Sequence, residues 1–175
     1  SGATVYSSYL INSVASAVSV NGQIILSNAA STGYFENIIG QATGVAPLTI
    51  NATISDGAGL LYGGLQIGES SGGGVYKGTV ILTGNNAFKG GAKVSFSTLK
   101  FADNSAFYCG GAQVCNTANT TVSSGPIGTA ALTIGDGGVL DLNGNGNSET
   151  LGYFNAAIKM NSTSGIVSLI NSNST

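Results

Sequence analysis

The chain of 175 residues is 42% hydrophobic but only 7% charged, where an ordinary soluble domain carries about 25% charged residues. Its five cations are all Lys, its formal net charge is −2, and it lacks His, Trp and Arg. It is long enough for one domain with a core. Scattered lysines do not supply the clustered cations that nucleic-acid binding needs, and the lack of His removes the usual nucleophile–base triads.

No apolar run approaches the roughly 18 residues of a membrane-spanning helix. The longest, "YLINSVASAVSVNGQIIL", is broken by Asn12, Ser13, Ser16, Ser19 and Asn21. No positive segment precedes it, so it does not read as a signal peptide, and the chain reads as a mature product or an excised segment.

Taken in chain order, the predicted elements are strands. "TVYSSYLI" (4–11), "AVSVNGQIIL" (17–26), "LTINATI" (48–54), "LLYGGLQI" (60–67) and "GTVILTG" (78–84) come first. "AKVSFSTLKF" (92–101), "ALTIGDGGVLDL" (131–142), "ETLGYFNAAIKM" (149–160) and "GIVSLI" (165–170) follow. Each is short, rich in β-branched or aromatic residues, and bounded by Gly, Asn, Asp or Ser. No segment sustains a helical apolar stripe, because Gly interrupts almost every window. No composition shift marks a domain boundary, so residues 1–175 read as a single all-β domain.

Internal similarity narrows the class. "LKFADNSAF" (99–107) and "LTIGDGGVL" (132–140) share one pattern of apolar residues around an Asp corner, and "ISDGAGLL" (54–61) carries the same corner at Asp56 and Gly57. Asp before Gly or Asn suits a tight turn, since its carboxylate accepts from the backbone ahead and the next residue tolerates positive φ. Strand, corner and strand, repeated every few tens of residues, predict a β-solenoid whose rungs stack at ~4.8 Å around one continuous core. A bend at Ser97-Thr98 is expected to bring Val94, Phe96, Leu99 and Phe101 to that core. The Gly84-Asn85-Asn86 break is expected to be a corner, with Phe88 turned back inside.

These residues also resemble a known family. "GTVILTGNNAFKGGAKVSFSTLKF" (78–101) is similar to the passenger-associated repeat of bacterial autotransporters, through Gly78, Thr79, Ile81, Gly84, Asn86, Phe88, Gly90, Gly91, Val94 and Leu99. "IGDGGVLDLNGNGNSETLG" (134–152) resembles another run common in those passengers, and "LTINATISDGAGLL" (48–61) resembles the segment that precedes the first repeat. The repeat-like parts are thus 48–61, 78–107 and 131–160, while residues 1–40 match nothing. Two positions depart from the pattern: Ser97 stands where the closing Gly belongs, and Lys93 where Thr precedes the valine. The resemblance implies a right-handed parallel β-helix exported to the cell surface. It implies no particular activity.

Candidate chemistry is sparse. The seven acids are Glu36, Asp56, Glu69, Asp103, Asp136, Asp141 and Glu149. A carboxylate pair would be the means of a β-helical carbohydrate-active enzyme, but Asp56, Asp103 and Asp136 sit at the repeated corner, where capping explains them. "DLNGNG" (141–146) opens like a calcium loop through Asp141, Asn143 and Asn145, yet its twelfth position is Gly152 instead of Glu. It reads as a turn. "GESSGGGVYKG" (68–78) lacks the Gly-Lys-Ser/Thr of a phosphate loop. Tyr6, Tyr9, Tyr34, Tyr62, Tyr76 and Tyr153 read as strand formers before they read as a sugar-binding or self-association surface. No catalytic, cofactor-binding or metal residue is therefore assigned.

Cys109 and Cys115 are expected to form a short disulfide, worth roughly 2 kcal/mol in the chain-entropy model. With the sequons at Asn51, Asn119, Asn161 and Asn173, this favours an oxidising, extracellular setting. The leading expectation is a non-enzymatic extracellular structural or adhesive β-solenoid on the cell surface. It would adhere to a host or neighbouring-cell surface or self-associate, without nucleic acid, cofactor or membrane insertion. The alternative is a subunit of a self-assembling extracellular filament that donates a strand from residues 1–40; a carbohydrate-active enzyme ranks last.

Overall fold

The structure is a computed structural model that describes residues 3–6, 9–27, 37–41, 46–57, 64–68, 76–83, 85–102, 108–109, 122–144, 158–163 and 165–173. No helix occurs among them; the chain winds into a β-solenoid. The first turn consists of β1 (Ala3–Tyr6), β2 (Tyr9–Asn12) and β3 (Val18–Val20). The second repeats it with β4 (Gln23–Ser27), β5 (Asn37–Gln41) and β6 (Leu48–Ile50), and the third with β7 (Thr53–Asp56), β8 (Leu65–Gly68) and β9 (Thr79–Leu82).

Each strand pairs in parallel with its counterpart one turn away, so the three turns build three faces. Among the described residues the first face consists of β1-β4-β7. The other two continue through β10 (Ala92–Ser95) with β11 (Thr98–Phe101), β14 (Leu132–Ile134) with β15 (Val139–Asp141), and β16 (Ile158–Met160) with β17 (Ser168–Ile170). Both become six-stranded, in the orders β2-β5-β8-β10-β14-β16 and β3-β6-β9-β11-β15-β17. Between them β12 (Tyr108–Cys109) and β13 (Val122–Ser124) form a small antiparallel pair.

The side-chain period of two, combined with in-register stacking, aligns like residues in columns. On the second face Leu10, Ile39, Ile67, Val94, Ile134 and Met160 lie in register. On the third, Val18, Leu48, Val80, Leu99, Leu140 and Leu169 do the same. The four middle members of each column are at most 3% exposed. Burying one such aliphatic side chain contributes about 2 kcal/mol, which makes these columns the main source of cohesion.

Several of the predicted strands are in fact two strands meeting at a corner. The run 17–26 breaks at Asn21-Gly22, with Gly22 at φ 101°, and the run 48–54 breaks after Ile50. Alternation survives such a corner, so the sequence pattern alone hides it. The strand β5 escapes the pattern because "NIIGQ" carries Asn37, Gly40 and Gln41. Gln41 is nevertheless fully buried, in register with the buried Asn12.

The internal repeat also has a different phase from the one its Asp corners suggest. Residues 132–134 stack on 92–94, and 139–141 stack on 98–100, so "AKVSFSTLKF" is the counterpart of "LTIGDGGVLDL". Asp56 closes β7 on the first face, whereas Asp136 turns the chain from β14 to β15. Their shared Asp-Gly reflects similar turn chemistry at two different corners.

The bend between β10 and β11 comes at Phe96-Ser97, one residue earlier than expected. Val94, Leu99 and Phe101 are buried as predicted. Phe96 is not: it takes φ 52° at the corner and stays half-buried, with the Lys77 ammonium 5.9 Å from its ring centroid. A residue that must adopt the left-handed region cannot also hold the inward orientation of a strand position.

Candidate functional site

The Gly-Asn-Asn break that stands out in the sequence takes over the place of the first face. Where a fourth strand of that face would pair with β7, the chain supplies Asn86. Its Oδ1 accepts the Ile54 N–H at 2.8 Å, and the Ala87 N–H donates to the Ile54 carbonyl at 2.9 Å. Its Nδ2 donates to the Pro126 carbonyl at 2.9 Å, and its backbone exchanges two hydrogen bonds with Gly125, at 3.0 and 2.9 Å. One fully buried side chain thereby joins three successive levels. Phe88, also fully buried, closes the core beneath it as expected, and Gly128 (φ 74°) lies so close that a Cβ would sit 2.4 Å from the Phe88 carbonyl. Gly84 lies outside the described residues.

The described carboxylates are likewise spent on joining turns. Asp56 accepts the Lys89 N–H at 3.0 Å. Asp136 accepts the Ser162 hydroxyl at 2.6 Å and the Thr163 N–H and hydroxyl at 2.7 and 2.9 Å. Asp141 accepts the Ser172 N–H and hydroxyl at 3.0 and 2.6 Å and the Asn143 N–H at 2.9 Å, with the Lys100 ammonium 3.7 Å away. Burial works to raise the Asp141 pKa, but Ser172, the Asn143 N–H and the Lys100 charge together hold it below the ordinary carboxylate value.

These three acids occupy three different corners of the coil, so they are not assembled into a carboxylate pair. Glu36, Glu69, Asp103 and Glu149 lie outside the described residues. The calcium-like loop is a turn in its described part: Asn143, at φ 51°, donates its Nδ2 to the Phe101 carbonyl at 3.0 Å. Asn145 and Gly152 lie outside that part. Among the described residues no three His, Cys, Asp or Glu side chains cluster as metal ligands.

The remaining candidates divide in the same way. Cys109 is fully buried at the end of β12, while Cys115 lies outside the described residues. Asn51 is exposed but belongs to a ladder, its Nδ2 donating to Asn21 Oδ1 at 3.1 Å and its Oδ1 accepting from Thr83 at 3.3 Å. Asn161 and Asn173 are exposed on the last turn; Asn119 lies outside the described residues. Of the tyrosines, Tyr76 packs half-buried against Gly40. Tyr6 and Tyr9 are placed by their backbone alone, and Tyr34, Tyr62 and Tyr153 lie outside the described residues.

What the sequence did not point to is the exposure of the last described turn. On the last turn Met160 is 52% exposed, Leu169 48%, Ile170 43% and Ile166 81%. Met160 and Leu169 are the final members of the two core columns. Among the described residues no further strand stacks on β16 or β17.

Compared with known protein families, curated proteins and solved structures, the chain matches none.

Proposed function

We propose that the chain is a non-enzymatic extracellular β-solenoid of the autotransporter-passenger kind, displayed on a cell surface and mediating adhesion or self-association. The observation that carries this reading is the use of polar side chains. Asn86, Asp136 and Asp141 all hold one turn to another, so the groups best suited to chemistry serve the rod. A stiff neutral rod presents many weak contacts along its length, which suits surface attachment better than turnover. A disulfide from Cys109 to Cys115 would fit an exported chain, and mass spectrometry after alkylation without reductant should find neither cysteine labelled.

The test is display of the chain on a bacterium without adhesins of its own. Settling in suspension or attachment to host cells above the empty-display strain is the expected result. Neither effect, or hydrolysis of a polysaccharide that disappears on changing one acid, would overturn the reading.

A filament subunit is the second reading, favoured by β2, β3, β16 and β17, each of which pairs on one side only among the described residues. Strand donation from residues 1–12 would require β1 and β2 to leave β4 and β5, their partners within the chain. Deleting residues 1–12 and finding polymers of unchanged length by electron microscopy would count against donation.

A further inference from the structure

The interior of the coil holds four described side-chain amides that are at most 6% exposed: Asn12, Gln41, Gln66 and Asn86. Three of them are engaged. Asn86 joins Ile54 and Pro126, and Gln66 donates its Nε2 to the Ile67 carbonyl at 3.0 Å. Asn12 serves its own corner: its Oδ1 accepts the Val14 N–H at 3.1 Å, and its Nδ2 donates to the Ser16 carbonyl at 3.4 Å. Gln41 is the exception. It is 0% exposed, and neither its Nε2 nor its Oε1 has a hydrogen-bond partner among the described residues.

The strand sets this position. Gln41 follows the buried Ile39 by two residues at the end of β5, so the strand period turns it to the same inward face. Its backbone carbonyl is already used, accepting the Gly78 N–H of the third turn at 2.9 Å. On the other side Gln41 stands in register with Asn12 of the first turn, at the ~4.8 Å spacing of stacked strands.

A buried amide without partners loses its hydration and gains nothing in return, and native interiors meet that demand with protein groups or with a bound water. The amide itself selects the ligand. Nε2 carries donor hydrogens and Oε1 accepts, so a cation would serve only the oxygen and an anion only the nitrogen. Water both donates and accepts, and an internal water needs about two to four polar partners. Asn12 supplies the others, because each of its polar atoms makes one hydrogen bond at its corner and retains a second hydrogen or lone pair.

We infer that Gln41 and Asn12 hold an internal water molecule where the second face turns into the third, bridging the first turn to the second. With Gly78 on the Gln41 carbonyl, that corner ties three successive turns through polar groups, as Asn86 does directly beside β7. Gln41 is inaccessible from outside, so the site is independent of what the surface of the rod touches.

Crystallography of the full chain at high resolution is the direct test. It should show a water within about 3.2 Å of a Gln41 amide atom and of the Asn12 amide. A Gln41 amide bonded straight to protein groups, or with no water beside it, overturns the inference. In solution, magnetic relaxation dispersion of the solvent counts long-lived internal waters. Gln41→Met keeps the length of the side chain and removes both polar atoms, and it should lower the dispersion amplitude by about one water. An amplitude equal to that of wild type overturns the site. Gln41→Leu stands in if thermal melting shows the Met variant to be misfolded, and the wild-type crystal decides without any variant.

Discussion

Replacing Asn86 with Ala removes the one side chain that stands in for a strand. The Ile54 N–H and the Pro126 carbonyl, 2.8 and 2.9 Å from the lost amide, are then left in the interior without their partner. Leaving a buried polar group unsatisfied costs about 1–3 kcal/mol, so two of them cost roughly 2–6 kcal/mol. In this size range each kcal/mol lowers the melting temperature by about 2–4 °C, which predicts a drop on the order of 5–20 °C.

Asn86→Asp separates the two bonds, since Asp keeps the acceptor for Ile54 but sets a carboxylate against the Pro126 carbonyl. It should be no better than Ala near neutral pH and should recover as the pH falls and the carboxylate is protonated. Thermal melting followed by circular dichroism measures the size of the effect. Amide hydrogen exchange locates it, with Ile54 losing protection ahead of Leu48 or Leu99. A drop below about 2 °C, with Ile54 protection unchanged, would refute the view that this side chain completes the sheet.

Two further outcomes follow from the same geometry. Asp141 has a lowered folded pKa, so its contribution is fully present above the ordinary carboxylate value of about 3.9 and is lost as the pH falls through the folded pKa. Wild type should therefore exceed Asp141→Asn in melting temperature at neutral pH, and the gap should narrow as the pH falls below the ordinary carboxylate value of about 3.9; a constant gap would refute the assignment. Phe88→Ala should cost about 3–5 kcal/mol. Phe96→Gly should cost far less, because glycine relieves roughly 1–2 kcal/mol of left-handed strain. Urea unfolding of the two variants checks the order, and equal losses would contradict the placement of Phe96 outside the core.

Alternation in "TVIL", "AKVS" and "TLKF" was enough to recognise β9, β10 and β11, because a period of two assigns each residue to a face regardless of what lies opposite. The turn at Asp136-Gly137 was equally readable, since a tight corner needs a residue that tolerates positive φ, whereas the corner at Asn21-Gly22 lay hidden inside an alternating run. The candidate site was less legible. Asn86 looked like a corner residue, but nothing local reveals that its amide meets Ile54 and Pro126, 32 and 40 residues away. Asp141 was read as the opening of a turn, but nothing local reveals that its carboxylate meets Ser172, 31 residues on.

The sequence by itself therefore determined the class of the fold: short alternating strands, glycine and asparagine corners, and a nearly uncharged surface admit a stacked coil and little else. The tertiary structure decided the phase of the repeat and which polar groups join which turns. These depend on how many residues each corner takes before the chain returns to the same face. The spacing varies from 19 residues between Thr79 and Thr98 to 41 between Thr98 and Val139, and stacking, unlike alternation, is a property of residues distant in sequence.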